Sequence, residues 1–398
     1  MPIIQSLLDT DLYKLTMQQI VYHQFSSANV EYEFRLRNYP KDTLVLFRND
    51  IAKEIDHLCT LSFADYELDY LRKLPYMTKE YIDFLRYFKL KREDIFVYLE
   101  DNEFKIFIQG SWLNTILFEV PVLAIVNEIY FKSKFGSVVN FDFTILNKRL
   151  WDKVDYIKKY GKSLTFTDFG TRRRFSRLWQ DRVVDILSGF LPNNFIGTSN
   201  VYFARTRNID PIGTMAHEYI QAMQGIMHND RESLRYSQHY ALFKWLEEYQ
   251  HTSLCTALSD TLGMDAFLRD FDYDLARRYT GVRQDSGDPY EWCNKLLDHY
   301  ERLGIDPKNK YAVFSDGLTP EKAIDINIAF SDQINCVFGI GTNLTNDNGV
   351  YEPMQIVIKM TKCNERPVAK IPDSPGKQMC NDEKYLAHLS SIFNINRK

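Results

Sequence analysis

Between residues 163 and 345 a short apolar run repeatedly stops at a polar cluster, usually one that carries glycine. Ser163–Thr167 runs into Asp168-Phe169-Gly170 and then Thr171-Arg172-Arg173, and Asn194–Ile196 into Gly197-Thr198-Ser199. Ile212–Ala216 meets His217-Glu218, Leu254–Leu258 meets Ser259-Asp260, and Thr280–Val282 meets Arg283-Gln284-Asp285-Ser286-Gly287-Asp288. Tyr311–Phe314 ends at Ser315-Asp316-Gly317, and Asn335–Phe338 at Gly339-Ile340-Gly341-Thr342. Most of these clusters lead into helical periodicity. Strand, polar turn and helix in succession are the units of a β/α barrel, whose strand ends converge on one face. The clusters are therefore expected to wall a single site.

The rest of the chain narrows the class. A net charge of −4 leaves no broad basic surface, which argues against nucleic-acid binding, so an anionic ligand must be gripped by local groups. No apolar run approaches the length that spans a bilayer, and the start of the chain, with Asp9 and Asp11, does not read as an export signal. Six cysteines lie without CxxC or histidine-paired spacing, which favours free thiols in a reducing cytoplasm over a metal cluster or disulfides.

Residues 1–140 read as an α+β module. Asp9 or Thr10 can cap a helix over 11–25, and Val30–Leu36 alternates as a strand. Helical stretches follow near 44–59, 63–72 and 78–88, strands near 95–99 and 104–109, and an apolar helix from Leu113 through Tyr130. The aromatic-rich stretch 63–108 reads as a packed layer. An amphipathic helix near 142–160 enters the barrel segment, whose helices fall near 172–189, 217–249 with a break at about 229–232, 263–270, 288–303 and 319–329. Beyond it, Met354–Met360 alternates like a strand, 367–375 reads as loop, and 382–393 as a short helix.

Several clusters carry chemistry. Ser315, Asp316 and Gly317, with Gly339, Gly341 and Thr342, put bare amides at the ends of the last two barrel strands, where barrels often hold phosphate; plain strand-to-helix turns are the alternative. Arg172, Arg173 and Arg174 fall in the first turn of an expected helix, where cations oppose the macrodipole unless an acid or a bound anion compensates. Arg283, Asp285 and Asp288 suit ribose hydroxyls or a phosphate-bridging Mg²⁺, while Ser286 could simply cap a helix. His217, at the expected end of the third strand, could serve as nucleophile or base with Glu218 orienting it, or be structural. Spacing assigns no metal ligand.

Four stretches read together across nearly the whole chain: Leu8-Asp9-Thr10-Asp11-Leu12-Tyr13-Lys14, Asp168–Arg173, Gly213-Thr214-Met215-Ala216-His217-Glu218 and Val282–Pro289. In combination they resemble the nicotinate phosphoribosyltransferase family, type II phosphoribosyltransferases of NAD biosynthesis. The resemblance implies an α/β fold: an irregular barrel over 141–345, packed against an α+β domain made by 1–140 joined by 346–398. It also implies a nicotinate ring stacked between Phe169 and Tyr13, with Tyr13 supplied by the neighbouring subunit of a homodimer. His217 would be phosphorylated from ATP, a co-substrate beside phosphoribosyl pyrophosphate and Mg²⁺. In this reading Arg172 faces the leaving pyrophosphate, Asp285 the ribose, and the 315–317 and 339–342 loops the 5′-phosphate.

The resemblance extends to nicotinamide phosphoribosyltransferase, which carries an Asp after Gly-Thr where this chain has Ser199. A carboxylate there would repel a nicotinate carboxylate, whereas a hydroxyl can donate to it. Ser199, with Arg172 or Arg283 nearby, therefore favours the acid. Two rivals stand beside this reading: an aldolase or isomerase on phosphorylated sugars, although no barrel strand ends in Lys, and a catalytically silent metabolite-binding protein.

Overall fold

The computed structural model describes residues 1–136, 143–374, 378 and 380–395. Its strands are β1 (Asn29–Leu36), β2 (Ile95–Glu100), β3 (Glu103–Ser111), β4 (Phe166–Asp168), β5 (Phe195–Thr198), β6 (Thr256–Leu258), β7 (Gly281–Gln284), β8 (Tyr311–Phe314), β9 (Asn335–Ile340), β10 (Ile356–Cys363) and β11 (Arg366–Pro367). They form two sheets. One is antiparallel, in the order β11-β10-β1-β3-β2, and the other parallel, in the order β5-β4-β9-β8-β7-β6.

Burial explains the difference between them. In β1 only Val30, Tyr32 and Phe34 are buried, the alternation of a sheet with one covered face. Every residue of β4, β6 and β7 is buried, as in parallel strands flanked by helices on both faces. β10 pairs with β1 from Val30 opposite Cys363 to Leu36 opposite Ile356, so the end of the chain completes the first sheet. The last helix, Glu383–Ile392, goes elsewhere: Leu386 and Leu389 pack with Leu234, Leu262 and Ala266 on the barrel side. The domain junction expected at 140/141 lies outside the described residues.

Most expected elements of the barrel form, but the third strand does not. Residues 212–216 form no ladder, and Pro211 makes a single bridge to Thr198. The two bonds that bracket Pro211, from Thr198 N to Asp210 O and from Ile212 N to Thr198 O, are not continued, and the first helix takes the neighbouring space. Gly213 packs against the main chain of Tyr13, and Thr16 Oγ1 donates to Thr214 O at 3.0 Å. The sheet is consequently open between β5 and β6, hence the irregular barrel. His217 begins a helix, His217–Ile226, rather than ending a strand.

Three local expectations also change. Thr171–Arg173 is a single 3₁₀ turn, and the helix proper, Arg177–Phe190, is capped by Ser176 Oγ accepting from Trp179 N. The arginines are thus not set against a helix dipole. Asp288, not Ser286, caps Pro289–Arg302 by accepting from Tyr290 N and Glu291 N. Asp11 occupies the cap position of Leu12–Gln24 without a capping bond, since its carboxylate is engaged by Ser199.

Among the described residues one helical stretch, Trp112–Phe135, is long and apolar enough to cross a bilayer, yet 89% of its most apolar window is buried inside the protein. Glu119 and Glu128 interrupt its apolar sequence. The first meets Lys14 at 2.7 Å and the second accepts from Arg177 N at 2.8 Å, so this is the core helix joining the two sheets' layers.

Candidate active site

The strand ends of the parallel sheet open into a cavity of about 590 Å³. It collects segments from the whole chain. Tyr13, Phe169, Arg172, Ser199 and His217 line it, as do Arg283 and Asp285, and so do Ser315, Asp316, Gly317, Gly341 and Thr342. Of the residues expected in the site, neither Arg174 nor Asp288 lines the cavity, and Gly339 stays behind the wall. A Cβ there would lie 2.3 Å from Phe169 Cδ2, so this glycine makes room for the aromatic ring and offers no amide to a ligand.

Phe169 follows β4 at a sharp turn. Asp168 fixes that turn by accepting from Gly170 N at 2.7 Å, from Gln180 Nε2 and from Thr198 Oγ1. Tyr13 of the same chain lines the cavity: Leu12 N donates to Ser199 O at 2.8 Å, pinning the first helix to the end of β5. The Tyr13 hydroxyl is buried without a hydrogen-bond partner, and the Arg172 guanidinium lies 5.9 Å from its ring centroid.

Arg172 reaches Glu119 at 3.5 Å and Asp11 at 4.0 Å, yet its side chain keeps 38% exposure toward the cavity. Arg174 does not enter the cavity; it is fully buried against Asp9. Arg37, Lys359 and Lys370 add to a basic wall from the antiparallel sheet and the loops beside it, and Arg173 joins them from the turn after β4. Burial pushes the Lys359 ammonium down to about 8, with Glu119 opposing and Arg172 adding to the shift. Arg283 Nε is buried with no acceptor, a donor that a bound anion would satisfy. A chain with net negative charge has thus gathered its cations at one cavity.

Ser199 does not serve as a free donor. Its hydroxyl donates to Asp11 Oδ1 at 2.7 Å, so the carboxylate that seemed missing from this position is supplied from the first helix. Burial holds the Asp11 carboxyl above its usual range, against the pull of Arg172 and Ser199.

His217 Nε2 lies 2.9 Å from Asp260 Oδ1 and 3.7 Å from Asp285 Oδ2. Glu218 faces away and does not orient the imidazole; it accepts from Lys14, from Tyr32 OH and from Trp112 Nε1. Asp260 Oδ2 takes Lys370 Nζ at 3.0 Å and Ser286 Oγ at 2.6 Å. Burial raises the Asp260 carboxyl, but Lys370 and His217 outweigh it and hold it well below the usual range. Burial, with Lys370 adding, pushes the His217 imidazolium down to about 4 despite Asp260. Both shifts fit one assignment: Asp260 is the anion, Lys370 its counter-ion, and His217 a neutral ring whose Nε2–H donates to Asp260. That tautomer leaves the lone pair on Nδ1. Asp285 Oδ1 accepts from Ser315 Oγ at 3.0 Å, and its other oxygen faces His217.

His217, Asp260 and Asp285 hold three ligand atoms within 4.8 Å of one another. The set does not suit a resident Mg²⁺, which prefers six oxygens. Nε2 carries a proton, and Asp260 is already engaged by an ammonium and a hydroxyl.

Asp260 was visible in the sequence as a strand-end carboxylate without a role. Lys370 gave no signal, lying in an ordinary loop. Glu119 was hidden by its apolar neighbours, and Asp11 was read only as part of the opening stretch.

Fold and cavity together define an α/β-barrel protein with a cation-walled site at its strand ends, completed by an antiparallel sheet. Residues 164–397 match the Nicotinate phosphoribosyltransferase (NAPRTase) family, and residues 8–127 its N-terminal domain. The chain belongs to that family. It is 49% identical over 403 residues to a nicotinate phosphoribosyltransferase of Acidovorax sp., covering 99% of each chain. With one from Chromobacterium violaceum it shares 47% over 402 residues, covering 99% of this chain and 98% of the other. Its fold is similar to that of the nicotinate phosphoribosyltransferase from Vibrio cholerae, with a TM-score of 0.92 at 39% identity over 100% of this chain and 95% of that one. The Porphyromonas gingivalis structure gives 0.88 at 34%, covering 98% and 100%.

Proposed function

We propose that the protein transfers phosphoribose from phosphoribosyl pyrophosphate to nicotinate, forming nicotinate mononucleotide and pyrophosphate, and couples this to ATP through a phosphohistidine at His217. The observation that carries the reading is the meeting of Tyr13 and Phe169 with the basic wall, Asp285 and His217 in one cavity. The ring would lie between the two aromatics with its nitrogen toward C1 of the ribose, a positioning that replaces random encounter. The C1–oxygen bond to pyrophosphate breaks as the pyridine nitrogen lone pair forms the new bond. No general base is required. Asp285 would hold the ribose hydroxyls, and Arg172 and Arg283 would neutralise charge on the leaving group and the 5′-phosphate. The amides at Gly317 and Gly341 complete the phosphate grip. Mg²⁺ would enter with the substrate phosphates.

Arg172 supports the acid over the amide, because its exposed guanidinium stands beside the Tyr13 ring. ATP would phosphorylate Nδ1 of His217, and loss of that phosphate would release products. The proposed assembly is a homodimer, on the strength of the family resemblance, and the proposed compartment the cytoplasm, on six free thiols.

Pyrophosphate release measured with nicotinate, nicotinamide and quinolinate, each with and without ATP, tests this directly. Turnover of nicotinate alone, stimulated by ATP, is expected. Preference for nicotinamide would move the chain to the sister activity, and no turnover at all would favour a silent binding protein. His217→Ala is expected to keep slow transfer but lose ATP stimulation; full stimulation in that variant ends the coupling proposal. Gly339→Ala should displace the Phe169 ring and lower kcat/KM for the base by about 10–100-fold. The KM for phosphoribosyl pyrophosphate should change little, and an equal effect on both substrates would refute this role for the ring.

A further inference from the structure

The loop 370–374 is tied across the turns that follow β6 and β7. Ile371 N donates to Thr261 O at 2.8 Å, the Asp373 carboxylate accepts from Met264 N at 3.0 Å, and Ser374 Oγ accepts from Gly287 N at 2.9 Å. Just before it, Ala369 exchanges two hydrogen bonds with the Gln224 side chain. Lys370 is thereby fixed at 6% exposure with its ammonium on Asp260, opposite the oxygen that receives His217.

We propose that Lys370 is a positioning residue for His217: by neutralising Asp260 it keeps the imidazole uncharged, with its proton on Nε2 and its Nδ1 lone pair free to take a phosphoryl group. This rests on the phosphohistidine reading above. Two carboxylates, Asp260 and Asp285, face the ring, and two unbalanced anions would favour imidazolium, which has no lone pair to attack with. Arg283 offsets Asp285, and Lys370 offsets Asp260. Glu218, the adjacent acid, is spent on Lys14 and two neutral donors. In the step itself Nδ1 donates its electron pair to the γ-phosphorus as the bond to ADP breaks, and ADP leaves with the bonding pair. The Nε2 proton stays shared with Asp260, which balances the cationic character the ring acquires.

Lys370→Met removes the charge at similar length, Lys370→Gln keeps a hydrogen bond to Asp260 without charge, and Lys370→Arg keeps the charge. With ¹³C-labelled histidine, the His217 signal is identified by its loss in His217→Asn and titrated in the full-length protein without ATP. Wild type and the Arg variant should stay neutral to well below the ordinary histidine range. The Met and Gln variants should titrate about one unit higher or more. Acid-labile phosphate incorporated from ATP should show the same displacement of its acidic limb. Unchanged titration in a folded Met or Gln variant overturns the proposal, as does a loss of labelling that is uniform across pH. Should wild type take no phosphate, the coupling reading fails, while the titration still decides the role of Lys370.

Discussion

Asp285→Asn is expected to lower kcat/KM for phosphoribosyl transfer by about 10²–10³-fold, the size seen when one preorganised charge-stabilising group is removed. The carboxylate sits at the end of β7 with one oxygen fixed by Ser315, so the amide would keep its size and position. What is lost is charge. Burial raises this carboxyl, but Arg283 and His217 outweigh it, so the group is anionic at neutral pH and faces the cavity. An oxocarbenium-like C1 develops positive charge that an anion beside the ribose hydroxyls stabilises more than the ground state. The loss should therefore fall on kcat, with binding of phosphoribosyl pyrophosphate little weakened. Single-turnover pyrophosphate release separates the two, and a defect confined to KM would remove Asp285 from the reacting centre.

The second large effect concerns stability. Asp9→Ala is expected to cost about 3–5 kcal/mol, because it strands the buried Arg174 guanidinium without its counter-ion. Both side chains are fully buried, and the pair is two-pronged, at 2.6 and 2.9 Å. Asn200 Nδ2 and Arg177 also contact the carboxylate, at 2.7 and 3.3 Å. Burial raises the Asp9 carboxyl, but Arg174 more than compensates and its folded value lies below the ordinary one. Its contribution is therefore present above the unfolded carboxylate value and lost as the pH falls through the folded one. Asp9→Leu combined with Arg174→Met should recover much of the loss, as apolar replacement of a whole buried pair often does. Urea unfolding of the single and double variants checks both. A single variant as stable as wild type would show that the pair adds nothing.

Strand ends were legible because a buried parallel strand is a short apolar run and its turn must be polar. That is why Asp168, Asp285, Ser315 and Gly341 could be placed near one another from the sequence. The third strand failed because Ile212–Ala216 has the right apolar content, yet content does not reveal that the first helix packs where a ladder would continue. The arginine run was read as one unit, whereas its members part: Arg172 faces the cavity, Arg173 donates to Ile356 O, and Arg174 meets Asp9. Gly339 illustrates a limit of another kind. A glycine that yields space to a ring and one that lends an amide to a phosphate look alike in one dimension. Lys370 was invisible because its partner lies in a different loop, and only the folded chain brings an ammonium to Asp260.

The pairing of β1 with β10 also bears on how this protein is made. A ribosome delivers β1 long before β10, so through the synthesis of everything between them one margin of β1 has no native neighbour. Such non-local pairing slows folding and leaves a strand open to strangers. Nascent chains stopped before residue 356 should thus be prone to clump, and rapid overproduction should favour inclusion bodies over native protein.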